Sequence, residues 1–483
     1  MNLGARLRIL ATLIGVEGLF MLPPLILAYI NGEGAFRPLA VGVVLCFLIF
    51  ILVRLVPLGD FHLTPRDGLF IVVMGWIVAS LIGALPMYMG RAVPSYVDGV
   101  FEIVSGFTTT GASVIGNIEG VDQSLILWRS TTHWIGGMGI LVFTLALLPR
   151  LGSQGFKIFK AETTGPIKGK IEPKMSDTAR RLYIIYILMS LVLFFLLLVQ
   201  GMGVFDSIVH TFGTVGTGGF SSKAASISVY RDQPGIILTI SFFLILCGTN
   251  FSLYMLLFQG RGKEILKDEE FRTLIGIIGL STLFIMVELC LSRGQRPFQA
   301  FQDALFQVVS IISTAGFYSV DFDLWPRFSK YILFLLMFAG SCAGSTAGGI
   351  KIIRVLIMSK LIRREIIKVG HPKAIVPIRL NGKTIPDETL MAIIGFFGVY
   401  FLIFVVSIGL VTLADVDLVT AASSVATCLS NVGPAFEQVG PTLNFAFFSP
   451  FHKLLFSVLM LLGRLEFFTV FALIIPDRLV NGC

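Results

Sequence analysis

Charge is scarce in this chain: Asp, Glu, Lys and Arg make up 14% of its 483 residues, against about 25% in an ordinary soluble domain. That shortage, together with a hydrophobic fraction of 55%, excludes a water-soluble fold. Histidine is rarer still, with five in the whole chain. No His-Glu-x-x-His segment sets two imidazoles on one helical face for zinc. Six cysteines, Cys46, Cys247, Cys290, Cys342, Cys428 and Cys483, lie singly, mostly in apolar stretches and without a Cys-x-x-Cys pair, which argues against both a disulfide framework and a zinc site. There is no phosphate-binding loop, because Gly260-Arg-Gly-Lys263 has the wrong spacing, and neither a Gly-x-Ser-x-Gly elbow nor a dinucleotide fingerprint occurs. A non-enzyme is expected, with no nucleotide on this chain. His133 and His210 are left with packing or hydrogen-bonding roles.

What the chain does have is long apolar runs. A bilayer crossing needs roughly 20 apolar residues. Runs able to supply one lie near residues 9–30, 38–57, 68–90, 130–149, 181–201, 235–258, 272–292, 329–358, 389–413 and 451–476, so an all-α polytopic bundle of ten spans is expected. Arg6 and Arg8 precede the first run and no small-residue cleavage site follows, so that span is read as retained. The formal charge of +8 is concentrated in two segments. Arg150, Lys157, Lys160, Lys168, Lys170, Lys174, Arg180 and Arg181 form one, and nine basic residues between 351 and 388 form the other. Such clusters mark the cytoplasmic side. A cytoplasmic N-terminus then puts 54–67, 150–180, 259–271 and 359–388 inside, the basic-poor stretches 91–129, 202–234, 293–328 and 414–450 outside, and both termini in the cytoplasm.

Each outside stretch holds a further apolar segment too short to span. Two of them read Asp98-Gly-Val-Phe-Glu-Ile-Val-Ser-Gly-Phe-Thr-Thr-Thr-Gly111 and Asp303-Ala-Leu-Phe-Gln-Val-Val-Ser-Ile-Ile-Ser-Thr-Ala-Gly316, with 13 residues from Asp to Gly in both and Phe101 matched by Phe306. Two looser copies run from Asp206 to Gly218-Gly-Phe220 and from Asp417 to Gly433-Pro434. Glycines 111, 218, 316 and 433 are 107, 98 and 117 residues apart, so a span–short helix–span unit recurs four times after an extra pair of spans. The corresponding divisions are 1–66, 67–150, 151–260, 261–370 and 371–483.

A short helix that starts at an N-cap Asp and stops partway through a bilayer presents its partially negative end near the middle, where a cation is favoured. The following glycine lets the preceding carbonyls turn toward an axis. Four such segments supply rings of carbonyl oxygen able to replace a cation's hydration shell. The expected carbonyls are those of Thr109 and Thr110, Gly216 and Thr217, Thr314 and Ala315, and Asn431 and Val432, ahead of Gly111, Gly218, Gly316 and Gly433. Neutral carbonyls rather than acidic side chains suit a large monovalent ion such as potassium.

Two more features lie within the apolar runs. The eighth run is interrupted by Ala339-Gly-Ser-Cys-Ala-Gly-Ser-Thr-Ala-Gly-Gly349, a poor continuous helix, read either as a close helix crossing or as a flexible loop. The last run contains Gly463-Arg464-Leu-Glu466. Arg464 either pairs with Glu466 or a neighbouring carboxylate, or projects into an ion path.

The segments Ser105-Gly-Phe-Thr-Thr-Thr-Gly-Ala112, Gly218-Gly-Phe220, Ser313-Thr-Ala-Gly-Phe317 and Asn431-Val-Gly-Pro434 resemble the bacterial Trk/Ktr potassium-uptake membrane subunits. The resemblance runs end to end, and the leading pair of spans puts it on the TrkH/TrkG branch rather than the shorter KtrB branch. It implies channel-like potassium uptake across the inner membrane, with potassium held at the twelve residues Thr109 to Gly111, Gly216 to Gly218, Thr314 to Gly316 and Asn431 to Gly433. A single glycine per repeat implies moderate selectivity over sodium. It also implies an intramembrane gating loop comprising Gly340, Gly344, Ser345, Thr346, Ala347, Gly348 and Gly349, with Arg464 as a positive barrier. Lys351 either adds to that barrier or marks the end of the span. Ala347 stands where the family's run leads one to expect glycine. A cytosolic, nucleotide-binding regulatory ring of TrkA type and a homodimer are the implied partners, the ring meeting the basic segments at 150–181 and 359–388. A potassium symporter coupled to protons or sodium is the alternative, and Glu102, Glu288 and Glu466 are its candidate coupling groups.

Overall fold

The structure is a computed structural model that describes residues 3–55, 64–139 and 175–474. The end of the expected fourth span, the basic residues from Arg150 to Lys174, and Cys483 lie outside the described residues. Among the described residues the regular structure is all-helical apart from one two-stranded hairpin.

The chain opens with α1 (Leu3–Asn31) and α2 (Phe36–Leu55), packed closely because Gly18 lies where a β-carbon would meet the Cys46 side chain at 2.8 Å. α3 (Pro65–Met89) starts at a capping box in which Thr64 and Asp67 satisfy each other's backbone amides. Arg6 of α1 donates to the same Asp67 at 2.6 Å, fastening the leading pair to α3.

Four units then succeed one another. The first is α3, α4 (Tyr96–Phe107) and α5 (Gln123–Gly137); the second is α6 (Met175–Val199), α7 (Val204–Val215), α8 (Pro234–Gly248) and α9 (Phe251–Phe258). The third is α10 (Glu269–Arg293), α11 (Pro297–Ile312), α12 (Arg327–Ala339) and α13 (Ile352–Gly370). After the hairpin β1 (Arg379–Leu380) and β2 (Lys383–Thr384) comes the fourth: α14 (Asp387–Val411), α15 (Leu418–Ser430), α16 (Pro450–Leu465) and α17 (Phe467–Ile474). In each unit the second helix, of 12, 12, 16 and 13 residues, is about 18–24 Å long at 1.5 Å per residue, too short for a hydrocarbon core of about 30 Å.

Among the described residues six helices, α1, α2, α3, α6, α10 and α14, are long and apolar enough to cross a membrane alone, and two bent pairs raise the number to eight. The expected sixth and tenth spans are therefore not continuous. α8 and α9 meet at 97° and α16 and α17 at 106°. The first break follows Gly248: Thr249 is extended, and the Asn250 side chain accepts the Ser252 N–H at 2.9 Å, starting a new helix. The second occurs at Glu466, whose φ of 62° turns the chain. The interrupted eighth run is an irregular loop, residues 340–351, between α12 and α13.

The expected aspartate N-caps need correction. Only Asp417 caps its helix, its side chain accepting the Thr420 N–H at 2.9 Å. Burial works against its charge, but the Thr420 hydroxyl and amide hold the carboxyl below its ordinary range. Asp98 is the third residue of α4, behind a Ser95 cap, and Asp206 the third of α7, behind Gly203. Asp303 lies deeper in α11, where Arg231 donates to it at 2.7 Å.

Candidate functional site

All four short helices end in one turn, repeated residue for residue. The chain turns left-handed at Thr109 (φ 55°), Thr217 (53°), Thr314 (56°) and Asn431 (57°), and again two residues on at Gly111 (84°), Gly219 (79°), Gly316 (74°) and Gly433 (104°). The residue between donates its N–H back five positions: Thr110 to Ser105, Ala315 to Ser310 and Val432 to Thr427, each at 2.9 Å, and Gly218 to Gly213 at 2.8 Å. This is a Schellman closure, whose left-handed residue is usually glycine. Three of the four are β-branched threonines, which adopt that conformation at a cost of about 1–3 kcal/mol each and persist only where the surroundings hold them.

The turns meet in a ring. A β-carbon on Gly111 would strike the carbonyl oxygen of Gly218, one on Gly219 that of Ala315, one on Gly316 that of Val432, and one on Gly433 that of Thr110, at 2.6 Å in the last case and closer in the others. Unit one thus abuts two, two abuts three, three abuts four and four abuts one, always glycine against the equivalent peptide oxygen. No side chain fits at these four places. All four glycines border one cavity of about 130 Å³, whose other walls come from segments after the turns, including Ser113, Phe220, Tyr318 and Asn444. Four helix C-termini converge on the ring, so their dipoles give it negative potential.

This geometry shifts the second quadrant by one residue. Gly219, rather than Gly218, is equivalent to Gly111, Gly316 and Gly433, and the carbonyl pair ahead of it belongs to Thr217 and Gly218. Gly216, with φ of −72°, caps α7 in the position of Thr108 and Ser313. The other three quadrants keep the expected residues.

Polar contacts, two of them buried ion pairs, bolt the quadrants together around the ring. Arg129 pairs with Glu102 beside α4 and lies 3.3 Å over the Phe220 ring, joining the first unit to the second. Glu102 also accepts the Val114 N–H at 2.9 Å, fixing the chain after the first turn. The Arg231–Asp303 pair joins second to third. Asp323 accepts the Glu437 N–H at 2.9 Å, third to fourth, and Lys453 reaches Asp98 at 2.6 Å, fourth to first. His133 and His210 take up packing roles, His133 bonding the Gly106 carbonyl at 2.7 Å and stacking on Phe220, His210 contacting the Asp206 carbonyl and Ser221.

The loop 340–351 lies against the left-handed residues. The Gly348 N–H donates to the Thr314 hydroxyl at 2.7 Å, the Thr217 and Thr346 hydroxyls are 3.2 Å apart, and Gly348 has no room for a β-carbon beside the Ser430 carbonyl and Asn431. Gly340, Gly344, Gly349 and Lys351 all have positive φ. Ala347 does not, so alanine fits there without backbone strain. The Ser345 hydroxyl bonds the Cys342 carbonyl at 2.7 Å, and the buried Lys351 ammonium donates to the Ala347 carbonyl. Arg464 donates to the carbonyls of Thr346 (2.7 Å), Gly136 (2.6 Å) and Gly137 (3.1 Å), tying the loop to the end of α5. Glu466 accepts from Arg354 at 2.7 Å.

Sequence reasoning missed Gly219, the Lys453–Asp98 pair and the receiving carbonyls of Gly136 and Gly137. Only the first had a signal: 13 residues separate Asp206 from Gly219, as they separate Asp98 from Gly111.

The described geometry has close relatives. The family TrkH, described as a cation transport protein, matches residues 43–479. The Trk system potassium uptake protein TrkH of Halomonas elongata is 36% identical over 99% of each chain, and the protein of that name from Escherichia coli is 38% identical over 86% of each. TrkG of Escherichia coli is 31% identical over 95% of each. The crystal structure of the potassium transporter TrkH from Vibrio parahaemolyticus superposes with a TM-score of 0.88 at 34% identity, covering 99% of both chains. On fold, near-complete coverage and sequence together, this multi-pass membrane protein belongs to the TrkH family of cation transport proteins.

Proposed function

We propose that this chain takes up potassium by a channel-like route through the ring of four turns. The observation that carries this reading is the closed ring itself, in which each glycine abuts the equivalent carbonyl of the next quadrant. The carbonyls of Thr109 and Thr110, Thr217 and Gly218, Thr314 and Ala315, and Asn431 and Val432 replace the ion's hydration shell. With Gly111, Gly219, Gly316 and Gly433 they form the selectivity filter, and each unit after residue 66 supplies one quadrant. Irregular backbone at such depth is acceptable because protein covers it. The membrane potential drives uptake at about 2.3 kcal/mol per charge per 100 mV.

The loop 340–351 is the gate. Its contacts with Thr217, Thr314 and Asn431 put it against the ends of the filter helices, and Arg464 holds it there while adding positive charge to the path. Opening displaces the loop and Arg464 together. A cytosolic nucleotide-binding ring of TrkA type drives that step from the basic side, where the chain from α13 to the hairpin carries Arg363, Arg364, Lys368, Lys373, Arg379 and Lys383. The chain works as a homodimer in the inner membrane with both termini in the cytoplasm. Coupled symport requires a titratable group in the path. Its three candidates are engaged elsewhere: Glu102 with Arg129, Glu288 with the Ser329 hydroxyl and Glu466 with Arg354.

The test is rubidium flux into liposomes holding the pure chain, with and without the cytosolic ring and nucleotide, comparing the parent with Gly316→Asp. An aspartate there meets the Val432 carbonyl and, at 2.6 Å, the Pro434 ring. Loss of flux in a variant that still elutes as the parent does supports the filter; flux equal to the parent's would place the path elsewhere. Flux that follows an imposed pH gradient would favour the symporter.

A further inference from the structure

α10 begins with three consecutive acids, Asp268, Glu269 and Glu270. Acids at a helix N-terminus are ordinarily explained by the dipole and by capping, and that suffices for Asp268, which accepts the Phe271 N–H at 2.8 Å. It does not explain Glu270. This side chain is buried, and one of its oxygens accepts two amides from elsewhere: Ala343 N–H at 2.7 Å and Ile353 N–H at 3.1 Å. Ala343 is inside the 340–351 loop and Ile353 is just beyond it. The Ile353 amide is among the first N–H groups of α13, which lack intrahelical partners, and α13 has no side-chain cap of its own. Glu270 therefore caps α13 from another helix while holding the loop's near half.

The preceding residue faces a different partner. Glu269 accepts the Asn381 N–H at 2.8 Å and returns its own N–H to the Asn381 side chain at 2.9 Å, while Asp268 accepts the Asn381 amide at 2.7 Å. Lys360 bonds Glu269 and, at 2.7 Å, the Arg379 carbonyl. Asn381 and Gly382, both with positive φ, form the tight turn of the β-hairpin. Successive helical residues point about 100° apart, so one rigid turn holds the hairpin with Glu269 and the loop with Glu270.

We propose that Glu270 is a positioning residue that tethers both sides of the 340–351 loop and, through Asp268 and Glu269, makes the loop follow the β-hairpin. The consequence for flux rests on reading that loop as the gate; the tether itself does not.

Cys342, buried within the loop, reports directly on the tether. In the reconstituted full-length chain, its alkylation by a maleimide is followed peptide by peptide by mass spectrometry, with buried Cys428 of α15 as the internal reference. Glu270→Ala leaves the half-buried Ala343 amide and the buried Ile353 amide without an acceptor and should speed Cys342 alkylation about tenfold or more. Glu270→Gln keeps an acceptor oxygen and should stay near the parent. Asn381→Ala should give a smaller increase, and the double variant no more than Glu270→Ala alone, because both act on one linkage. An unchanged Cys342 rate in folded Glu270→Ala overturns the tether, as does an equal rise at Cys428, which would signal general loosening. An Asn381→Ala rate equal to the parent's overturns the link to the hairpin. Rubidium flux separates the two readings: faster Cys342 alkylation with raised partner-independent flux supports both, whereas faster alkylation with unchanged flux keeps the tether and removes the gate.

Discussion

Threonine is an unexpected residue for a left-handed turn, yet it occupies that position in three quadrants and asparagine in the fourth. Their side chains give the reason at three of these places. The Thr314 hydroxyl accepts the Gly348 amide, the Thr217 hydroxyl meets that of Thr346, and the Asn431 amide donates to Thr110 and to the Met460 carbonyl. Glycine would relax the turn and lose these attachments. Thr314→Val preserves shape and removes the acceptor, so the loop should be released and partner-independent rubidium flux should rise severalfold, whereas Thr314→Ser should behave as the parent. Much of this detail is legible in the chain. The glycine pattern falls on the left-handed glycine of three of the four turns, because a positive φ there favours glycine. It sets the second one residue early because Gly216, Gly218 and Gly219 crowd together there, and local composition cannot choose among them. The distance from Asp206 to Gly219 does choose.

At the scale of helices, apolar length and the repeated Asp-to-Gly segments locate the second helix of each unit but not where the long runs bend. The sixth run reads as continuous because Gly248-Thr249-Asn250 is brief and flanked by apolar residues, and the tenth because a bend at Glu466 needs no glycine. Both bends depend on tertiary partners: the carbonyls of Cys247 and Gly248 receive amides from the loop, and Glu466 is held by Arg354. Close helix packing is equally invisible in the sequence. Gly463 of α16 sits so near the Leu429 carbonyl and the Asn431 side chain that a β-carbon cannot be placed. Gly463→Ala should therefore push α16 off α15 and destabilise the protein by about 1–3 kcal/mol, read as a lower melting temperature in detergent.

Across the whole molecule, the four units close into a ring by ion pairs and backbone contacts between sequence-distant residues. The last closure is made by Lys453 and Asp98, both buried and 355 positions apart. Neither residue carries a mark in the sequence that predicts the other. Removing one member of a buried pair strands the other charge at a cost of about 3–5 kcal/mol, whereas removing both is far milder. Lys453→Met should lower the melting temperature sharply and Lys453→Met with Asp98→Asn should recover most of the loss, a difference measurable by thermal unfolding in detergent.

The four turns are written separately into one polypeptide, so a point substitution alters one quadrant and leaves three intact. A channel assembled from identical subunits changes all four at once, and mixing subunits yields a statistical population of stoichiometries. Here one, two, three or four quadrants can be altered by design in a homogeneous preparation, each at a known place around the ring. Symmetry becomes an experimental variable, and the effect of each quadrant on rubidium flux can be measured individually.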